Sequence, residues 1–318
     1  MSKILLIGAS GQIGWELARA LLPLGTLIIA DRTQFDLTRP HTLTGVIDAA
    51  RPTIVINAAA YTSVDKAEEE QALAMTANVD APAELAKAAR RHGALFVHYS
   101  TDYVFDGRKQ DSYIESDQTN PLSAYGRSKL AGECAVRDAG GDYLIFRTSW
   151  IYAARGKNFL RTMLRLTAER EQLRVVADQV GAPTWARVVA ECTAMALKQD
   201  IVRRRIGRFA SGLFHLTASG ATSWHGFASA ILAAANAQLV PVKCREIVPI
   251  TTAEYPLPAT RPANSRLQSA LFAQRYGLLM PGWDTCMQLC LAELFERRGD
   301  PLAVHAPAVF ASPIAALA

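Results

Sequence analysis

The chain has 318 residues, half of them apolar and a fifth charged, so it can bury one large core or two modest ones. No apolar run approaches the ~18–20 residues of a membrane span, and the start "MSKILLIGASG" lacks the longer apolar segment and cleavage site of a secretory signal, so we expect a cytoplasmic protein without a membrane partner. The net charge of +5 comes from scattered basic residues, which argues against a nucleic-acid partner and is compatible with an anionic small molecule.

The first half of the chain alternates short apolar runs with helical stretches. The predicted strands cover residues 4–7, 27–30, 54–57, 95–99 and 143–147. The predicted helices cover 14–22, 42–50 and part of 121–139, and one or two further helices are predicted over 69–92. Such alternation is typical of a parallel sheet covered on both faces. We therefore predict an α/β fold, a doubly wound parallel sheet of the Rossmann type, with a dinucleotide-binding domain over residues 1–150.

After residue 150 the alternation becomes less regular. Helices are predicted at 161–171, 183–197, 224–235 and 284–297, and short strands at 174–176, 213–216 and 246–249. We expect residues 151–298 to form mainly a smaller substrate-binding domain, although later segments can also add to the first domain. The tail 299–318 is rich in Ala and Pro without a clear period, and is expected to be loosely held.

The segment "GASGQIG" places three glycines, Gly8, Gly11 and Gly14, between the first strand and a helix. Glycines there allow a tight turn and close approach of a pyrophosphate to the helix N-terminus. Asp31 ends the next predicted strand, where a carboxylate can accept hydrogen bonds from the adenine ribose of NAD. Arg32 could instead hold the 2′-phosphate of NADP, or be a solvated surface charge. The prediction is a nicotinamide dinucleotide, with NADH and NADPH both open.

The segment "YGRSK" provides Tyr125 and Lys129, which share a helix face because they are four residues apart. A nearby ammonium favours phenolate, so we expect it to lower the tyrosine pKa toward the working pH. The alternative is an exposed helix pair without a function. "STDYVF" begins 25 residues before Tyr125, at the end of a buried run, and its Thr101 can hydrogen-bond a substrate oxygen. Glycine loop, Thr101, Tyr125 and Lys129 together resemble the extended short-chain dehydrogenase/reductase superfamily.

The third residue of the strand-end motif separates two branches of that superfamily. Dehydratases acting on nucleotide sugars typically carry Thr-Asp-Glu there, with the Glu as a base. This chain has Tyr103, a poor base near neutral pH, so we expect ketone reduction and not dehydration.

Several further segments resemble the dTDP-4-dehydrorhamnose reductase family from about residue 3 to 297: "HYSTDYVFDG", "YGRSKLAGE", "FRTSWIYA", "NFLRTMLRL", "DQVGAPT" and "RPANSRL". The resemblance implies reduction of the C4 ketone of dTDP-6-deoxy-L-lyxo-4-hexulose to dTDP-L-rhamnose, a sugar donor for bacterial surface polysaccharide such as O-antigen. Another nucleotide-sugar reductase, an epimerase with the same core, and a non-catalytic regulatory subunit are the alternatives.

The resemblance also implies roles for single residues. Thr101 would orient the ketone, Tyr125 would protonate the new alkoxide, and Lys129 would bind the nicotinamide ribose. The implied cofactor-binding residues are Gly8, Gly11, Gln12, Ile13, Gly14, Asp31, Arg32, Asp36, Leu37, Ala58, Ala59, Ala60, Tyr125 and Lys129. The implied substrate-binding residues are Asp102, Tyr103, Val104, Trp150, Asn158 and Arg261. Trp150 as a core aromatic and Arg261 in a surface salt bridge are the alternatives for those two.

Some members of the family are described with a magnesium ion at a dimer interface, held by glutamates. Glu16 and Glu293 lie in matching surroundings, and a homodimer is what the resemblance suggests. The third position is Arg187, whose charge opposes metal binding, so we expect no tight Mg²⁺ site. The five cysteines are widely spaced and match no zinc pattern, so packing thiols are expected.

Overall fold

The computed structural model describes residues 2–30, 35–238 and 240–296. Strands in these ranges are β1 (Ser2–Ile7), β2 (Gly25–Ala30), β3 (Ile54–Asn57), β4 (Leu95–Thr101), β5 (Tyr143–Thr148), β6 (Ile151–Tyr152), β7 (Gln172–Val176), β8 (Val180–Gly181), β9 (Thr184–Trp185), β10 (Gly212–His215), β11 (Thr222–Ser223) and β12 (Glu246–Ile250). Helices in these ranges are α1 (Gln12–Ala20), α2 (Thr44–Ala50), α3 (Gln71–Met75), α4 (Ala81–Arg91), α5 (Ala124–Asp138), α6 (Phe159–Glu169), α7 (Ala186–Arg205), α8 (Trp224–Ala237), α9 (Ala270–Tyr276) and α10 (Trp283–Glu296).

Six parallel strands form the main sheet in the order β10-β5-β4-β3-β1-β2. Since β1 pairs with β2 on one side and β3 on the other, the strand order reverses at β1. In open α/β sheets the ligand crevice lies at the carboxyl ends of the strands, beside such a reversal. The predicted doubly wound parallel sheet is confirmed, and its topology directs attention to the residues after β1 and β3.

Alternate residues of the central strands face two separate helical layers. Ile4 and Leu6 belong to the cluster that contains α1, α7 and α9. Leu5 and Ile7 belong to the cluster on the opposite face, with α2, α4 and α5. The four side chains are at most 1% exposed, which explains why the strand reads as one apolar run.

The second half of the chain also contributes a strand to the main sheet. β10 is its edge strand beside β5, and α7 packs along α1. We predicted residues 213–216 as a strand and expected later segments to be able to add to the first domain. β10 is such an addition, and its Phe214 contacts Phe146 and Phe272. The division at residue 150 stays a prediction with these later additions, and the tail 299–318 lies outside the described residues.

A second apolar cluster lies under α6, α8 and α10 and includes the parallel pair β7–β12. Tyr152, Phe227 and Trp185 are among its buried aromatics. The range 69–92, where we predicted one or two helices, contains α3 and α4 with a π-helical turn (Thr76–Asp80) between them. Within the described residues, no helix has the length and hydropathy needed to cross a membrane.

Candidate active site

The glycine loop after β1 brings backbone atoms into close contact. Gly8 has φ +84°, and a Cβ there would lie 2.7 Å from the amide nitrogen of Ala59. A Cβ at Gly14 would overlap the carbonyl oxygen of Gly8. Side chains at either position would therefore separate α1 from the loop and from the segment after β3.

The first turn of α1 fits a phosphate group. Its N-cap is Gly11, which offers no side chain to cap the helix, and the turn contains no acidic residue. The first backbone N–H groups, including those of Gln12 and Ile13, have no intrahelical acceptors, and the helix dipole adds positive potential. This arrangement suits the pyrophosphate of a dinucleotide, as expected for the glycine loop.

Residues 58–60 form the other wall of the crevice, with the predicted Ala58, Ala59 and Ala60. The amide of Ala58 donates to the Ile7 carbonyl at 3.0 Å, and that of Ala59 to the Asn57 side chain at 3.2 Å. This fixes the segment beside the glycine loop. The structure therefore brings both predicted cofactor segments together at the strand reversal.

Four further cofactor-binding residues were predicted: Asp31, Arg32, Asp36 and Leu37. Asp31 and Arg32 lie outside the described residues. The Asp36 carboxylate accepts from the amide and hydroxyl of Thr38, and these hydrogen bonds hold its pKa below the usual value. Leu37 packs on the apolar cluster beneath it. Cofactor contacts for these four residues stay predictions.

Helix α5 carries Tyr125 and Lys129 into the site. The Ser123 hydroxyl accepts from the amide of Gly126 at 3.1 Å and so fixes the start of the helix. A Cβ at Gly126 would overlap the carbonyl oxygen of Tyr103, so glycine permits α5 to lie directly against the turn after β4.

Thr101, Tyr125 and Lys129 are all buried, at 6%, 9% and 2% exposed. Burial raises the pKa of Tyr125 to about 12, while a hydrogen bond with Thr101 acts in the opposite direction. The expectation that Lys129 brings this pKa toward the working pH is wrong for the chain alone. The ammonium is directed to the Tyr99 carbonyl oxygen, at 2.6 Å, and the energetic cost of burying a phenolate is the larger effect.

Burial lowers the pKa of Lys129 to about 8, and Glu133 raises it in part. Glu133 lies one helical turn after Lys129 and forms two hydrogen bonds with Arg147, of 2.8 and 2.7 Å. It also accepts from the Ser100 hydroxyl. Our sequence reasoning missed this buried group, although an acidic residue four positions after a predicted catalytic lysine was an available signal.

Asp102, Tyr103 and Val104 form a 3-10 turn directly after β4. Burial raises the pKa of Asp102 to about 7, while hydrogen bonds from Ser265 and Thr101 act in the opposite direction. The Tyr103 ring meets the Tyr125 ring edge to face at 6.0 Å. The Val104 side chain is fully buried among other core residues, and the predicted position of Val104 close to the sugar stays a prediction.

Trp150 lies at the end of β5 with a left-handed backbone, φ +47°. A non-glycine residue in this conformation costs about 1–3 kcal/mol and is typical of functional sites. Its indole stacks on Trp224 at 3.5 Å between ring centroids and donates to the Ser265 hydroxyl. Trp150 is partly exposed, so it is neither fully buried in the core nor free on the surface. Sequence reasoning missed its partner Trp224.

Asn158 has other contacts than those predicted. Its side-chain oxygen caps α6 by accepting from the Arg161 amide, and its Nδ2 donates to Gln12 Oε1 at 2.9 Å and to two carbonyl oxygens. The amide thus ties α6 to the glycine loop. A substrate contact stays a prediction, while the positioning contact is present.

Arg261 makes a two-pronged salt bridge with Asp65, of 3.0 and 2.8 Å, and contacts Tyr103. The alternative predicted for Arg261, a salt bridge, is therefore present, although the side chain is 18% exposed and lies beside the site. Asp65 was missed because the two residues are 196 positions apart.

The predicted metal candidates do not fit a metal ion. Arg187 lies between them, with Nε 3.1 Å from Glu16 and a terminal nitrogen 2.7 Å from Glu293. A divalent cation within about 4 Å of a guanidinium would be repelled by roughly 8 kcal/mol at an effective dielectric constant of 20. The described residues also contain no cluster of three His, Cys, Asp or Glu side chains arranged for a metal.

Comparison with known proteins gives the family. The family model described as the RmlD substrate binding domain matches residues 2–296. The dTDP-4-dehydrorhamnose reductase of Burkholderia thailandensis is 53% identical over 297 residues, covering 93% of this chain and all of that protein. The enzyme of the same name from Escherichia coli (strain K12) is 45% identical, with 92% and 98% covered.

A solved structure agrees with these relatives. The Bacillus anthracis dTDP-4-dehydrorhamnose reductase in complex with NADP is 34% identical and superposes with a TM-score of 0.82, over 92% of this chain and all of that one. Relatives above 40% identity over nearly the whole length, together with a family model that matches residues 2–296, leave one conclusion. The chain belongs to the dTDP-4-dehydrorhamnose reductase family.

Proposed function

We propose that the chain reduces the C4 ketone of dTDP-4-dehydro-6-deoxy-L-lyxo-hexose to give dTDP-L-rhamnose. The observation that carries this is the placing of Thr101, Tyr125 and Lys129 together at the carboxyl end of β4, beside the glycine crevice. The chain is an oxidoreductase of nucleotide-sugar biosynthesis.

In this proposal each site residue has a separate role in the reaction. When bound, the nicotinamide cofactor supplies a hydride to C4 of the sugar. Thr101 holds the ketone oxygen, and the Tyr125 phenol gives its proton to the oxygen as negative charge develops. Lys129 adds positive charge behind this proton donor. The first turn of α1 would hold the cofactor's pyrophosphate.

Trp150 and Arg261 complete the substrate contacts in this proposal. The Trp150 indole offers an apolar face to the sugar, supported by Trp224. Arg261 can bind the diphosphate through the same guanidinium edge that binds Asp65. Asp102 and Tyr103, in the turn after β4, are further candidates for contacts with the sugar.

The finer points belong to the same proposal. NADPH and NADH are both candidates, and the enzyme acts in the cytoplasm, as a homodimer, on the route to polysaccharide such as O-antigen. All five cysteines are free thiols, which is typical of a reducing compartment.

The test is a coupled assay. The 4-keto sugar nucleotide is made in situ, the protein is added with NADH or NADPH, and loss of reduced nicotinamide is followed by absorbance. Mass and NMR identify the product, and light scattering gives the oligomeric state. Formation of dTDP-L-rhamnose supports the proposal. A folded protein that binds cofactor without oxidising it would contradict it, and favour another keto sugar or a binding role.

A further inference from the structure

Two carboxylates from different helices meet at Arg187. Glu16 lies on α1, Arg187 near the start of α7, and Glu293 on α10. The guanidinium uses Nε for Glu16 and a terminal nitrogen for Glu293. One side chain therefore joins a helix of the dinucleotide-binding layer to the last helix of the second apolar cluster.

The surroundings make a cation necessary at this point. The Glu16 side chain is 6% exposed and that of Glu293 is 15% exposed, so water solvates both carboxylates poorly. Glu191 follows Arg187 by one helical turn, and its pKa is raised by burial, lowered by Arg187 and raised by Glu16. Three carboxylates, of Glu16, Glu191 and Glu293, therefore lie near one another, and without Arg187 their negative charges would repel each other.

The guanidinium is also fixed in place. Its carbon lies 4.7 Å from the centroid of the Trp185 ring, which supports it from one side. A planar guanidinium has donors in a rigid fork and stays charged at every accessible pH, so it can bridge two carboxylates as a divalent ion would.

We propose that Arg187 is a built-in cation that takes the place of a divalent ion at the junction of α1, α7 and α10. The junction of the wild-type protein then needs no metal, and its stability is indifferent to chelators. The family's implied magnesium is not required by this chain, because the charge it would supply is covalently attached.

The test measures thermal unfolding of the full chain in EDTA and in MgCl₂, with NaCl matching the ionic strength. For wild type, and likewise for Arg187→Lys, the Tm in EDTA should equal the Tm in MgCl₂. In EDTA, the Tm of Arg187→Gln should be several degrees below that of wild type. Arg187→Glu should lose more, and MgCl₂ should restore several degrees that NaCl does not. The control Arg165→Gln breaks an exposed pair with Glu169 and should change Tm little.

Three results would overturn the proposal. One is a wild-type Tm that falls in EDTA and returns with MgCl₂. Another is an Arg187→Gln protein as stable in EDTA as wild type. The third is an Arg187→Glu protein without a magnesium-specific rise. If Arg187→Glu does not fold, the comparison of Arg187→Gln with wild type in EDTA decides alone.

Discussion

Tyr125 is poised as an acid in this site. Its pKa is raised to about 12 by burial, so the phenol is protonated at neutral pH. A ketone reduction needs a proton donor once hydride has arrived, so the protonated form is the useful one. The same side chain would be a poor base in the free chain, which agrees with the direction of reaction proposed.

Replacing Tyr125 by Phe removes this proton and little else, because the ring is retained. We expect kcat to fall roughly 10²–10⁴-fold, the usual contribution of a general acid, while the Kd for NADPH changes little. Stopped-flow or steady-state assay gives kcat, and fluorescence titration gives Kd. Tyr255→Phe, at an exposed ring, is the matched control and should retain activity. Wild-type turnover by Tyr125→Phe would exclude it as the donor.

Asp102 makes stability depend on pH. Its folded pKa of about 7 lies above the ordinary value of 3.8, so between these values the folded state holds a proton that the unfolded state has released. The free energy of unfolding therefore falls as pH rises from about 4 to about 7. Asp102→Asn stays neutral, so between pH 4.5 and 8 we expect its free energy of unfolding to rise by roughly 3 kcal/mol relative to that of wild type.

Urea denaturation at several pH values measures this effect. Asp106→Asn is the control, since the pKa of Asp106 is lowered and its contribution has the opposite sign. Parallel curves for wild type and Asp102→Asn would mean that Asp102 is ionised in the folded state at all these pH values.

At the level of elements, α5 depends on a buried ion pair. Glu133 and Arg147 join α5 to β5, and both side chains are at most 5% exposed. Removing one partner of such a pair leaves a buried charge without compensation and typically costs about 3–5 kcal/mol. The pair also affects Lys129, because Glu133 raises its pKa.

Glu133→Gln should therefore do two things. We expect the free energy of unfolding to fall by about 3 kcal/mol, and the alkaline limb of the kcat/KM profile to move to lower pH, because the Lys129 ammonium loses a stabilising charge. Denaturant titration and a pH profile measure these. Glu169→Gln, in an exposed pair with Arg165, should cost less than about 1 kcal/mol. Equal losses in the two variants would refute the role of burial.

For the whole molecule, local patterns predicted the sheet and its helices but not the long-range contacts. β3 was predicted over its full length because Ile54–Asn57 is a continuous apolar run that ends in a polar residue. Helix α9 was missed, because its seven residues make barely two turns and leave little periodicity to detect. β10 was predicted as a strand, but its pairing with β5 was not, since periodicity cannot tell which sheet a short strand joins.

The candidate site shows the same limit. The glycine loop and the "YGRSK" helix are local motifs, and their chemistry follows from spacing. The left-handed backbone of Trp150 depends on tertiary packing that over-determines it, and a non-glycine residue gives no local sign of it. The Tyr125 pKa depends on burial by segments far along the chain, so spacing alone gave its shift in the wrong direction.

Two contacts hold the distant parts of the site together. Asn158 joins α6 to Gln12 in the glycine loop, and Asp65, after β3, holds Arg261 beside Tyr103. In the second contact a guanidinium suited to a diphosphate already has an anionic partner. If Arg261 exchanges Asp65 for the substrate diphosphate when the substrate binds, Asp65 and the diphosphate compete for the same guanidinium donors.

If Asp65 and the substrate compete, substitutions of Arg261 and of Asp65 should affect the KM for the keto sugar nucleotide differently. Arg261→Met should raise KM for the keto sugar nucleotide roughly 10–100-fold, because charged hydrogen bonds contribute about 1.5–3 kcal/mol, with the NADPH KM unchanged. Asp65→Asn removes the competitor, so KM should hold or fall although Tm decreases. Arg174→Met, in an exposed pair with Glu254, controls for general loss of positive charge. If instead both variants raise KM alike, the pair is a clamp that shapes the site, and the diphosphate is bound by other groups.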